Sequence, residues 1–378
     1  MKRILKKFMI TTAIVLVVLT LGTVLFMQQA AFGKDPKGKR LERIQHSLNY
    51  KDGSFQNEHQ TDMMLKGASY TKMTWEFINK PLGNKPPVVL PSVKTDLLTL
   101  ADDKPTIVWF GHSSYLIKTK GKNILVDPVF SGYASPVSFF GKSYEGSDVY
   151  GVEDMPEIDI CIITHDHYDH LDYRTIQKLH PKVKQFYTAL GVGAHLEDWG
   201  VDPSKIVELD WWEGNTNKDS ITITAVPARH FSGRGLTRGK TLWAAYVLDI
   251  HGYKIFVGGD SGYDTHFKTI GETFGPFDIA MIECGQYGRD WPLIHMTPEE
   301  TARAAKEINT KILLPVHWAK FSLALHTWNE PIERLLKATE ANDVKVTTPL
   351  IGEPIILDSM YPTKAWWRLE EVPVLSTN

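Results

Sequence analysis

The chain is expected to fold as an α/β protein, an αββα sandwich with two mixed β-sheets flanked by helices. Three features point there. TIVWF, SYLIK and NILVD, from Thr106 to Asp127, are short strand-like runs separated by glycine-containing turns. IDICIIT, from Ile158, is a continuous apolar run of the kind a strand shows when both its faces are buried. A second set of strand-like runs follows at 221–226, 242–250 and 253–258, and each set gives way to alternating helices and strands.

Taken in order, the chain opens with Lys2, Arg3, Lys6 and Lys7 ahead of an uncharged run from Phe8 to Gly33. Its core, Phe8 to Met27, is rich in Val, Leu, Ile and Thr, and about 20 such residues cross a bilayer core. The core is longer than a secretory h-region of roughly 7–15 residues, and the exit QQAAFG has no A-x-A pattern. Residues 1–33 are therefore read as an uncleaved, single-pass membrane anchor, with a cleaved signal peptide as the alternative. Basic residues before the span favour an extracytoplasmic body. Lys34, Lys37, Lys39, Arg40 and Arg43 after the span weaken that vote.

Residues 34–104 read as a linker and irregular extension. Up to about 60 the segment is polar and charged; from 61 it is proline-rich (NKPLGNKPPVVLP), and is expected to wrap the domain or line its site entrance. Residues 105–378 are the main domain. After Thr164 the pattern predicts a helix near 172–179, a strand near 183–187 and a helix near 192–198. Later come a helix near 265–273, the strand DIAMIE, a helix opening at Thr297, the strand KILLPV and a helix near 330–341. Thr297, Pro298, Glu299 and Glu300 supply an N-cap hydroxyl, a first-turn proline and first-turn acids. Cys161 and Cys284 sit in apolar runs and read as buried thiols. A net charge of -2 offers no basic surface for nucleic acid.

The chemistry centres on THDHYDHLD, which directly follows the strand Ile158–Thr164. Alternate side chains of an extended segment point the same way, so His165 and His167 can converge on one metal ion. Asp169 and His170 come as the chain turns into a helix and face a neighbouring position. Imidazole and carboxylate suit zinc, and the ligand types also admit iron or manganese. Three more polar residues end apolar runs: His230 (AVPARH), Asp260 (KIFVGGD) and His317 (KILLPVH). Together they complete two shells. His165, His167, His230 and Asp260 would hold one ion; Asp169, His170, His317 and the bridging Asp260 would hold the other.

HxHxDH followed by His, Asp and His at strand ends resembles the metallo-β-lactamase superfamily. The flanks WFGHSSYLI, DPVFSGYASPVSFFG, DWWEG, PARHFSGRGLTRGKTLWAAYVLD, GGDSGYDTHFKTIGETFGPFDIA, IHMTPEET and LPVHWAKFSLALHTWNEP narrow this. From about residue 40 to 358 they resemble the N-acylphosphatidylethanolamine-hydrolysing phospholipases D and their bacterial relatives. That resemblance implies the metallo-β-lactamase fold, two zinc ions and phosphodiester hydrolysis. It also implies a role near the phosphate for His295. Asp166 departs from the pattern, since the mammalian enzymes have asparagine there, and the anchor is not part of the pattern. Two metal ions in such a site activate water and clamp a phosphoryl group. Asp260, as the shared carboxylate, and His295 are the residues expected to bear on catalysis.

Other candidates carry blander expectations. His112 in GHSS should orient a neighbouring ligand. His266 either sits near the site or starts a helix. His180, His195, His251 and His326 are structural or exposed, and Trp211, Trp212, Trp243, Trp318 and Trp328 belong to the core. The expected activity is zinc-dependent phosphodiester hydrolysis of an N-acylphosphatidylethanolamine-like phospholipid at a membrane. The alternative is a hydrolase of the same fold with a lactone, amide or other non-phosphate substrate. A non-catalytic tethered binding protein would have no use for a complete ligand set.

Overall fold

In the computed structural model, which describes residues 1–369, the first three strand-like runs pair in chain order. Thr106–Trp109, Tyr115–Thr119 and Lys122–Val126 form an antiparallel meander. Gly111 and Gly121 in its turns adopt φ of 82° and 73°, a conformation open mainly to glycine. Ile158–Ile163, Val183–Ala189 and Ile206–Leu209 then add in parallel. Parallel neighbours need crossovers. The helices Tyr173–Leu179 and Gly193–Asp198 lie in two of them. Pro354–Ile356 closes the other edge, antiparallel to Thr106–Trp109.

The second sheet repeats the plan. Gly214–Thr216, Thr222–Val226, Ala245–Ile250 and Tyr253–Val257 are antiparallel, and Ile279–Glu283 and Leu313–Val316 continue in parallel. The helices His266–Phe274 and Pro298–Glu307 make the crossovers, and Glu330–Asn342 packs on the second of these. Pro315 is tolerated because its strand lies at the sheet edge, where a missing N–H breaks no inner ladder. Thr297 caps Pro298–Glu307 as expected: its hydroxyl accepts from Glu300 N–H, and Glu300 accepts from Thr297 N–H. The sheets share one apolar core, and Tyr246 of one donates its hydroxyl proton to the Ile163 carbonyl of the other at 3.2 Å. Cys161 and Cys284 are buried free thiols.

At the N-terminus, Lys2–Met27 is a helix of 26 residues with none buried. At 1.5 Å per residue it is about 39 Å long, and it is apolar enough to cross a bilayer. Residues 34–104 are more ordered than their composition suggests. They hold the helices Gly38–Gln45 and Tyr70–Ile78 and a two-stranded ribbon, Tyr50–Lys51 with Ser54–Phe55. Two charges of the stretch that read as a linker, Arg40 and Arg43, pair with acids of the domain. Arg40 lies 2.7 Å from Glu197 and 2.8 Å from Glu208, beside the buried Ile44.

Candidate active site

Ligand-type side chains gather where strands of both sheets end, the usual place for a site in α/β folds. His165 Nε2 lies 2.9 Å from His167 Nδ1, which lies 3.1 Å from His230 Nε2. Asp260 Oδ2 is 3.8 Å from both His165 Nε2 and His230 Nε2. Beside this group, His170 Nε2 is 3.1 Å from Asp260 Oδ1, and His317 Nε2 is 3.2 Å from Asp260 Oδ2 and 3.3 Å from Asp169 Oδ2. All seven residues expected from the sequence thus meet in two adjoining groups, with Asp260 between them.

This donor set fits cations. Zinc–nitrogen bonds of about 2.0–2.1 Å at tetrahedral angles place nitrogens roughly 3.3 Å apart, close to the spacings here. Nε2 of His170 and Oδ1 of Asp260 are buried and 3.1 Å apart, but make no well-aligned hydrogen bond to each other or to another described residue, an arrangement a cation between them would relieve. Most of the rings are also fixed from behind. Nδ1 of His165 meets Thr164 Oγ1 at 3.0 Å, that of His170 meets Asp127 at 2.7 Å, and that of His230 meets the Ile294 carbonyl at 2.9 Å. Each therefore presents Nε2 inward; His167 presents Nδ1.

The electrostatics differ between the two groups: burial would lower His170 and His317, but Asp260 and the acids around them hold His170 well above the usual imidazole range and raise His317 to about 10. Burial alone would raise the Asp260 carboxyl, but His170 and His317 overcome it and hold the group well below the ordinary carboxylate range. Burial pushes His165 and His230 well below the usual imidazole range and His167 down to about 4, so all three are neutral near pH 7, the form that can ligate a metal.

Two buried acids escaped the sequence reading. Asp127 receives Thr164 N–H at 2.8 Å and the Thr164 hydroxyl at 2.7 Å, besides holding His170. Glu283, fully buried, lies 2.7 Å from His295 Nδ1 and 3.2 Å from His317 Nδ1. Both close apolar runs, NILVD and DIAMIE, which is the signal that singled out Asp260. The amide Asn57 escaped it too: its side chain accepts from His230 N–H at 3.0 Å and donates to the His230 carbonyl at 2.8 Å. No local pattern marks it.

The remaining candidates sort by contact. His112 Nε2 is 2.9 Å from Asp169 Oδ2, so it orients that carboxylate while lying in the same cluster as Asp169, His170 and His317. Asp166 is turned away from the clusters and accepts from Gly233 N–H at 2.7 Å and the Thr241 hydroxyl at 2.9 Å. His266 begins its helix, buried, with Nε2 3.2 Å from Ser261 Oγ. His195 and His326 are structural: one faces Asp166, the other accepts from Gln286 N–H. His180 and His251 are partly exposed. Trp211, Trp243, Trp318 and Trp328 are buried, but Trp212 is 42% exposed, because it turns outward at a left-handed φ of 68°.

The clusters open into a cleft of about 740 Å³. His295 is on its wall, its ring centroid 5.0 Å from that of His230 and 5.1 Å from that of His317. The 61–104 stretch adds an apolar lining with Met63, Met64, Tyr70, Met73 and Phe77. Lys66 and Arg238 add positive charge.

Residues 122–318 match the Beta-lactamase superfamily domain. The chain is 38% identical to an uncharacterised protein of Mycobacterium tuberculosis, over 90% of this chain and 92% of that one. It is 31% identical to N-acyl-phosphatidylethanolamine-hydrolyzing phospholipase D 1 of Caenorhabditis elegans, over 64% of this chain and 71% of that one. Its fold is similar to the crystal structure of a possible metal-dependent hydrolase from Veillonella parvula. The TM-score there is 0.54 at 16% identity, covering 68% of this chain and all of that one.

Proposed function

Because the chain belongs to the β-lactamase superfamily of metal-dependent hydrolases, we propose that it is a zinc-dependent phosphodiesterase of phospholipase D type acting on N-acylphosphatidylethanolamine-like lipids. The observation that carries this reading is the cleft. It joins two groups of metal-ligand-type side chains, with Asp260 lying between them, to an apolar wall suited to acyl chains. In this reading His165, His167, His230 and Asp260 hold one cation, and Asp169, His170, His317 and Asp260 the other. Two cations so held would supply Lewis acidity, which would lower the pKa of water and offset phosphoryl charge. The protein supplies position. Asp127, Glu283 and Asn57 fix the histidines, and Glu283 holds His295 by Nδ1 on the cleft wall, which leaves Nε2 to meet the phosphate. Lys66 and Arg238 favour an anionic headgroup.

The helix Lys2–Met27 is, in the same reading, a single-pass anchor with the catalytic domain outside the cytoplasm. A Cβ on Gly235 would lie 3.0 Å from Met27 Cε, and Arg238, three residues on, lines the cleft. The anchor therefore leaves the domain beside the cleft mouth, where lipid is at hand. The deciding experiment combines elemental analysis of purified protein with product detection on a phospholipid panel and a lactone and amide panel. About two zinc ions per chain and a released phosphatidic acid are expected. Turnover of the second panel alone would replace the phosphodiesterase with the non-phosphate hydrolase.

A further inference from the structure

Residues 30–34, just past the apolar helix, lie against the loop that carries His165, His167, Asp169 and His170. The contact is made by Arg234, which is 5% exposed. Its guanidinium donates to the Ala31 carbonyl from Nε at 2.9 Å and from Nη2 at 2.8 Å. On its other side Nη1 donates to the carbonyls of Asp166 at 2.6 Å and Leu171 at 2.7 Å. One planar fork thus holds the end of the anchor and both ends of the ligand loop, a task suited to arginine's fixed donor geometry.

Further contacts tie the same parts. Trp199 Nε1 donates to the Ala30 carbonyl at 2.7 Å. Lys34 N–H donates to His195 Nδ1 at 3.0 Å, and His195 Nε2 faces Asp166 Oδ2 at 3.2 Å. Tyr168 donates its hydroxyl proton to the Arg234 carbonyl at 2.6 Å, and the guanidinium sits 4.1 Å from its ring centroid. The loop therefore has two faces. His165, His167 and Asp169 point to the clusters, while Asp166 and Tyr168, alternating with them, are gripped from the junction.

We propose that residues 30–34 and Arg234 are positioning elements of the metal site, so that the ligand loop is fully ordered only while the anchor's end is seated. The proposal rests on the reading of that loop as metal-binding. Losing the fork would strip these donors from the buried carbonyls of Asp166 and Leu171 and from the part-buried carbonyl of Ala31.

The test uses the full-length protein in detergent micelles, with zinc affinity measured by competition with a chromophoric chelator. Gly33→Val unseats the junction without changing a loop residue: Gly33 has φ of +68°, and a Cβ there would lie 2.1 Å from His195 Nδ1. Arg234→Lys keeps the charge and loses the fork. Gly22→Ala is the control, since a Cβ there meets nothing within 4 Å. Both junction variants should bind zinc about 10-fold or more weakly, as supporting partners of metal ligands commonly show, with the control unchanged. The unfolding midpoint of metal-free protein, read by circular dichroism, separates a scaffold role from a positioning one. A lower midpoint with unchanged zinc affinity would overturn the proposal, as would no change in either. Should Gly33→Val fail to fold, Arg234→Lys decides by the same affinity. Wild-type protein that binds no zinc removes the metal-site reading itself, an outcome distinct from zinc-binding variants that match wild type.

Discussion

The fully buried carboxylate of Glu283 lies 2.7 Å from Nδ1 of His295. The same carboxylate stands 3.2 Å from Nδ1 of His317, so one acid at the end of a strand aligns a cluster histidine and a histidine of the cleft wall. Met296 N–H donates to its other oxygen at 2.8 Å, which holds the acid in turn.

Replacing Glu283 with Gln keeps the shape and removes the charge. Turnover should fall about 10- to 100-fold, the range seen when supporting partners of metal ligands are changed. KM should change little, because the substituted group touches no substrate. Steady-state kinetics with parallel metal analysis checks this; wild-type turnover would deny Glu283 its role.

Asp260→Asn should lower activity far more than His266→Ala. Asp260 stands within 3.1–3.8 Å of His165, His170, His230 and His317, whereas His266 contacts Ser261 and no ligand-type residue of either cluster. Equal losses from both changes, with metal retained, would contradict the bridging assignment.

His266 makes a pH prediction. Burial pushes its imidazole down to about 3, against about 6.5 in an unfolded chain. Below pH ~6.5 the unfolded state binds a proton that the folded state refuses. The contribution to stability is therefore full above that pH and is lost as pH falls toward 3. Between pH 6.5 and 5 the loss from this one group is roughly 2 kcal/mol. Urea midpoints at pH 7 and 5 should differ less in His266→Asn than in wild type, and identical pH dependences would refute the account.

The protein should be recovered with membranes and retain its N-terminal segment. N-terminal sequencing of mature protein provides the check. A terminus near Ala31 or Phe32 on soluble protein would make residues 1–33 a signal peptide. A sequence-based truncation at Lys34 would also cut the contacts of Ala30 and Ala31 with Trp199 and Arg234. A soluble form beginning at Gln28 should therefore outlast one beginning at Lys34 in thermal melts.

The sequence by itself determined the sandwich, because period, turn glycines and strand-end punctuation are local properties. It also determined the seven clustered residues, because each follows an apolar run at a strand end or belongs to one short motif. What it left open depends on contacts between distant segments. Asp127 and Glu283 carry the same strand-end signal as Asp260, but only folding shows that one backs His170 and the other His295 and His317. Asn57 and Arg234 carry no signal at all: they act on His230 and on the ligand loop across separations of 173 and 63–68 residues. Residues 34–104 looked irregular because their elements are short and anchored by ion pairs and buried contacts with the domain rather than by their own periodicity. Local pattern fixes which residues can ligate; burial and long-range hydrogen bonds decide which residues hold them in place.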